Sequence, residues 1–239
     1  MSRVHTVLTL AFLVLLGGMN APAMAQQGSA APAAPQGRAG GAGPARGRPP
    51  LFFKEEWKQN AKGGEHALAP LEALSNPALE LRLYGPAANQ FLMSGSVGDD
   101  ANPVHVWTGM CTSPCGATLR HKSSFVDLSG LARIKWNTKM SGFHQIRPIV
   151  KLADGTWLAG DKADGSPADW LVTEVALADV RWIRLDPEML VTKGVIVAMP
   201  DLTKVDEVGF VDLMPSSGHG PGGWSDVAQI EVYGRPVAR

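Results

Sequence analysis

The chain has 239 residues, 45% of them hydrophobic, and its 22 basic and 22 acidic residues cancel at neutral pH. That balance excludes the basic surface a nucleic-acid binder needs and leaves no acidic tail. Its two cysteines are too few for a thiolate metal cluster, while seven tryptophans among sixteen aromatic residues is a tilted choice.

Arg3 opens an N-terminal stretch whose residues 7–16 are apolar, followed by "APAMA" with Ala23 and Ala25 at an A-x-A site. This is the pattern of a secretory signal peptide over residues 1–25. The apolar run is short for a bilayer, so no transmembrane span is expected in the mature chain, and export to the periplasm or beyond follows. Residues 26–50, "QQGSAAPAAPQGRAGGAGPARGRPP", are nearly all Gly, Ala, Pro, Gln or Arg. Such a segment buries too little apolar surface to offset its ordering entropy, which predicts a disordered linker. Residues 51–239 then form one domain, long enough for a real core.

Period-two patterns dominate that domain. "LELRLY" and "PVHVWTG" are the first predicted strands. In "ARIKWNTKM", Ala132, Ile134, Trp136, Thr138 and Met140 share one face, and Arg133, Lys135, Asn137 and Lys139 the other. That is a half-buried antiparallel strand. "QIRPIVKL" repeats the pattern, with Pro148 pointing to an edge or a bulge. "WLVTEV", "VRWIRLD", "VDEVGFVDL" and "DVAQIEVYG" follow, separated by "LSGL", "MSGF", "ADGT" and "TKG" turns. Helix signals are thin; "PLEALSNP" offers one short turn of helix. The fold class expected is an all-β sandwich of the jelly-roll type.

Cys111 and Cys115 sit in "CTSPC", where Pro114 favours a turn; in an exported chain a structural disulfide is expected. Standard catalytic signatures are missing: there is no HExxH, no GxSxG and no P-loop. Glu174, Asp186, Asp212, Asp226 and Glu231 are carboxylates available for glycoside cleavage, but their spacing selects no acid and nucleophile. His105, His121, His144 and His219 read as scattered surface histidines. Asp154, Asp161, Asp164 and Asp169 lie among glycines and suit Ca²⁺, although the EF-hand spacing is absent and Asp-Gly turns form without metal.

The tryptophans are the strongest lead. Sugar C–H faces stack on aromatic rings while hydroxyls need a few polar partners. Trp107, Trp157, Trp170 and Trp224 flank loops or strand ends, Arg147 projects from the polar face of its strand, and His219 and Trp224 bracket a glycine-rich loop. These six are the candidate ligand-binding residues, with rim packing as the alternative for each tryptophan.

"FVDLSGLARIKWNTKMSG", "IRPIVKLADGTW", "DLTKVDEVGFVDLM" and "GGWSDVAQIEVYG" together resemble the successive strands of galactose-binding-like jelly rolls. The nearest patterns are those of secreted family 11 carbohydrate-binding modules and of the complex I intermediate-associated protein 30 type. The resemblance implies a non-catalytic module recognising a glycan or related polyhydroxy ligand, with one structural calcium near the chain ends. Asp226 and Glu231, joined by Glu55 or Glu56, would hold that ion. The resemblance leaves out residues 51–122. A secreted carbohydrate-active hydrolase or lyase, and an envelope interaction protein, remain open beside it.

Overall fold

The computed structural model describes residues 47–61, 63–165, 168–215 and 223–239. The expected signal peptide, most of the expected linker and His219 therefore lie outside the described residues. Sixteen strands account for about half of what is described: β1 (Leu51–Glu55), β2 (His66–Ala67), β3 (Leu79–Tyr84), β4 (Leu92–Ser94), β5 (His105–Trp107), β6 (Cys115–His121), β7 (Ser124–Asp127) and β8 (Arg133–Met140). They continue with β9 (Ile146–Leu152), β10 (Trp157–Gly160), β11 (Leu171–Ala176), β12 (Trp182–Asp186), β13 (Val191–Val197), β14 (Val205–Asp212), β15 (Ser225–Tyr233) and β16 (Arg235–Ala238). Residues 70–77, where a turn of helix was expected, form turns and bends. Proline at both ends of so short a segment leaves no room to propagate a helix.

Two antiparallel sheets result. The first runs β11-β8-β15-β5-β4-β2, with β1 continuing the line of β5 along β15. The second runs β13-β12-β10-β9-β14-β6-β3, with β7 and β16 at one end. Their facing sides make the main core, built around Trp136, Trp182, Phe91, Phe210 and Ile134. β8 shows why: every second residue of its eight is buried, as the alternation requires. The expected all-β sandwich is the observed fold class.

Pro148 corrects one expectation. It lies in β9, between β10 and β14, not at an edge. The ladder to β10 stops at the Ile149–Ala159 pair, so the missing N–H of Pro148 falls just beyond it. The "TKG" turn is instead the middle of β13, an edge strand in which Gly194 takes a positive φ of 68°. The β12–β13 ladder shifts register at Ile183/Leu185, and so absorbs two extra residues in β13.

Candidate functional site

The six candidate residues do not converge. Arg147 and Trp157 lie on the outer face of the second sheet. Trp107, Trp170 and Trp224 gather on the outer face of the first, and His219 lies outside the described residues.

The outer face of the second sheet is concave and filled. The rings of Tyr84 on β3 and Trp157 on β10 sit 4.5 Å apart edge-on, although β6, β14 and β9 separate their strands. In a flat sheet four strand spacings would hold them about 19 Å apart, so the sheet curls around this face. The β12–β13 turn crosses it as well: a Cβ on Gly85, after β3, would lie 2.5 Å from Leu190 Cδ1. Ile149, Trp157, Ala159, Leu185, Leu190 and Val211 close into a second apolar cluster there. Beside it Glu207, fully buried, accepts from Arg82 Nη1 (2.8 Å), Lys151 Nζ (3.1 Å), Tyr84 OH (2.8 Å) and Thr118 Oγ1 (2.6 Å). Burial, and then the Glu207 carboxylate, hold the Tyr84 phenol well above its ordinary value. Arg147 is half-buried and donates to the Asp161 carbonyl at 3.1 Å. The polar groups on this face thus satisfy one another, and Trp157 is packed rather than presented.

The outer face of the first sheet is different. Strand register sets Trp107, Asp226 and Lys139 side by side across β5, β15 and β8. His105, two residues before Trp107, shares their face. Trp107 is 3% exposed, and a Cβ on Gly109 would collide with its indole, so it is a floor rather than a platform. Trp170 precedes β11, yet its ring lies 5.2 Å from the His105 ring and 6.0 Å from Lys139 Nζ. It therefore folds back over β8 and β15. Trp170 Nε1 donates to the Ala101 carbonyl at 3.2 Å, and Trp224 Nε1 donates to Asp226 Oδ2 at 3.2 Å. Both indoles are partly exposed.

Asp226 and His105 form the polar heart of this face. His105 Nδ1 sits 2.7 Å from the Pro103 carbonyl, which can only accept, so Nδ1 carries the proton and Nε2 a bare lone pair. Nε2 faces Asp226 Oδ1 at 3.8 Å. Asp226 is 5% exposed, and its Oδ1 takes no hydrogen bond from the described residues. Burial pushes the Asp226 carboxyl up to about 7, against the smaller opposing effects of the Trp224 N–H and Lys139. Burial also lowers His105 from its ordinary value. Burial thus disfavours the charged form of both groups, so the two are not held as a permanent ion pair.

The remaining candidates are placed as follows. Asp226 and Glu231 share the outer face because a register shift between Val227 and Gln229 inserts one residue in β15. Five residues of strand hold them about 15 Å apart, too far to share one ion. Glu231 accepts from Gln229 and Tyr233, and Glu55 accepts from Trp57, Ser75 and Asn76. No group of three or more His, Cys, Asp or Glu is placed to hold a metal among the described residues. Asp161 is bound to Arg181, and Asp164 to Trp136 and Thr173. Cys111 and Cys115 are joined as a buried disulfide with Cα atoms 6.3 Å apart.

One cluster escaped the sequence. Asp212 accepts from His144 Nδ1 (2.6 Å), Ser225 Oγ (2.8 Å), Thr108 Oγ1 (3.3 Å) and the Met214 N–H (3.0 Å). It ties the end of β14 to the start of β15, and so holds both approaches to the glycine-rich loop. Three of the four donors come from distant segments, and no spacing announces them.

No protein-family model matches the chain, and no curated protein does. Solved structures do. A family 11 carbohydrate-binding module from Clostridium thermocellum, in complex with a beta-1,3-1,4-mixed-linked tetrasaccharide, is 14% identical, with a TM-score of 0.41 over 74% of this chain and 99% of that one. An exo-beta-agarase is 10% identical over 79% of this chain and 25% of its own, with a TM-score of 0.38. The Emp47p carbohydrate recognition domain is 9% identical over 64% of this chain and 94% of its own, with a TM-score of 0.29. No helix among the described residues is long and apolar enough to cross a membrane.

Proposed function

We propose that the protein is an exported, non-catalytic carbohydrate-binding-like module, and that it takes a glycan or related polyhydroxy ligand on the outer face of the first sheet. One observation carries this reading: two partly exposed indoles, Trp170 and Trp224, flank a buried carboxylate oxygen that has no partner among the described residues. Indole faces suit sugar C–H surfaces, and Asp226, His105 and Lys139 supply the few polar groups that fix orientation. The concave face is the poorer choice because its carboxylate already has four donors.

A second reading has one observation in its favour. A histidine lone pair and a carboxyl 3.8 Å apart beside aromatic surfaces is a pairing that a secreted hydrolase or lyase would use. One experiment separates the two. The full chain is incubated with a broad glycan array, with calcium and with chelator, and both retention and release of reducing sugar are followed. Retention without release supports the binding module, and dependence on calcium would add a structural ion. Release moves the reading to an enzyme. No retention on any glycan overturns it.

A further inference from the structure

We infer that the site on the first sheet selects a ligand bearing a primary amine, and that the amine nitrogen is held between His105 Nε2 and Asp226 Oδ1, under the indoles of Trp170 and Trp224. The inference rests on the glycan reading above and narrows it to amino sugars.

The argument is one of hydrogen counting. With Nδ1–H committed to the Pro103 carbonyl, His105 Nε2 can only accept. An ionised Asp226 can also only accept, and its Oδ2 already receives the Trp224 N–H. Where Asp226 is ionised, two acceptors thus face one another at 3.8 Å with no hydrogen between them from any donor among the described residues. A sugar hydroxyl brings one hydrogen and satisfies one of them. An amino nitrogen brings two or three. An atom about 2.8 Å from both acceptors sees them at about 85°, which two N–H bonds of one amine meet with slightly bent hydrogen bonds.

The surroundings suit the same group. Aromatic faces attract a cation, and the strand neighbour Lys139 already turns its ammonium over the Trp170 ring, 6.0 Å from its centre. That ring therefore tolerates positive charge in this setting. Oδ1 is shut off from solvent, so the ligand arrives by displacing a cover. Trp170 and Trp224, the partly exposed indoles beside it, are the covers the ligand would displace.

Three tetramers of one shape test the idea: β-1,4-linked glucosamine, N-acetylglucosamine and glucose, each titrated calorimetrically into the full chain at pH 7.5. They share linkage and ring conformation and differ only at the 2-position. The glucosamine tetramer is expected to bind at least about tenfold more tightly than the other two. Asp226→Asn, which puts an amide hydrogen into the gap, should abolish that preference, with thermal unfolding confirming that the variant folds. A measurement on the unaltered protein stands beside it: the imidazole ¹⁵N signal of His105 Nε2 should shift on adding the glucosamine tetramer and not the glucose one. Equal binding of all three overturns the amine inference and leaves the glycan reading standing. Binding of none, with retention elsewhere on the array, overturns the inference alone. Binding of none with a silent array overturns both.

Discussion

Removing the Glu207 carboxylate tests whether the concave face is held shut by its own charges. Glu207→Ala would strand four donors at once: Arg82, Lys151, Tyr84 and Thr118. Removing one partner of a buried ion pair costs about 3–5 kcal/mol. Two of the stranded groups can recover. Arg82 has 38% of its side chain exposed and keeps a contact to Glu80 at 3.2 Å, and Lys151 is 24% exposed and can turn to water. The Thr118 hydroxyl is fully buried and cannot. The loss should therefore fall at the low end, about 3 kcal/mol. Glu207→Gln keeps the volume. Its amide oxygen can face Arg82 and Lys151, while its NH₂ faces the Tyr84 and Thr118 hydroxyls, which turn to accept. Only charge assistance is lost, about 1–2 kcal/mol. Urea unfolding followed by tryptophan fluorescence reads both, provided the slope is unchanged. An alanine variant within about 1 kcal/mol of the unaltered protein, or a glutamine variant as damaged as alanine, would refute the reasoning.

Three further outcomes are expected. Trp157→Ala should cost about 3–5 kcal/mol of stability and leave glycan retention per folded molecule unchanged; Trp170→Ala, a partly exposed ring, should do the reverse, and both are read by denaturation and by glycan affinity. Asp226→Asn should stabilise the fold at pH 8, with the gain shrinking as pH falls. A carboxyl at about 7 when folded and 3.8 when free binds more protons in the native state, so native stability drops by about 1.4 kcal/mol per pH unit between those values as pH rises. His105, lowered by burial, works oppositely on the acid side, with Lys139 and Glu65 acting on the same pair; the difference between variant and parent isolates Asp226. Reduction of Cys111–Cys115 should lower stability by about 2 kcal/mol, because the loop it closes is short; an unchanged melting temperature on reduction would contradict that.

A strand with a buried and an open side was legible from alternation alone, as β8 shows, while β14 and β15, buried on nearly every residue, were read from their apolar runs. β6 was not. Its run of Gly116, Ala117 and Thr118 carries no large apolar alternation, because it lies under the filled concave face and is buried on both sides. β10 is four residues long, and β13 presents valine and isoleucine to solvent at an edge, so neither shows a core-facing period. The site was half legible. Trp170, Trp224 and Asp226 were visible as residue types, but His105 and Lys139 join them through register across three strands, and one extra residue in β15 sets which carboxylates share the face. Trp157 and Trp224 looked alike in sequence; only the curl of one sheet makes the first a core residue.

Glu207 and Asp226, one buried carboxylate on each outer face, state the difference between those faces. Glu207 is surrounded by two cations and two hydroxyls, and its environment is complete. Asp226 has one indole N–H, and its cationic neighbour in register turns to an aromatic ring instead. A buried polar oxygen without a partner costs about 1–3 kcal/mol, and folded proteins keep few of them. A protein could remove this cost with an asparagine at 226. Keeping the carboxylate is costly to the free protein and useful only if something brings hydrogens to it. The face that is incomplete by itself is therefore the one to expect a ligand on, and the hydrogens it lacks define what that ligand must carry.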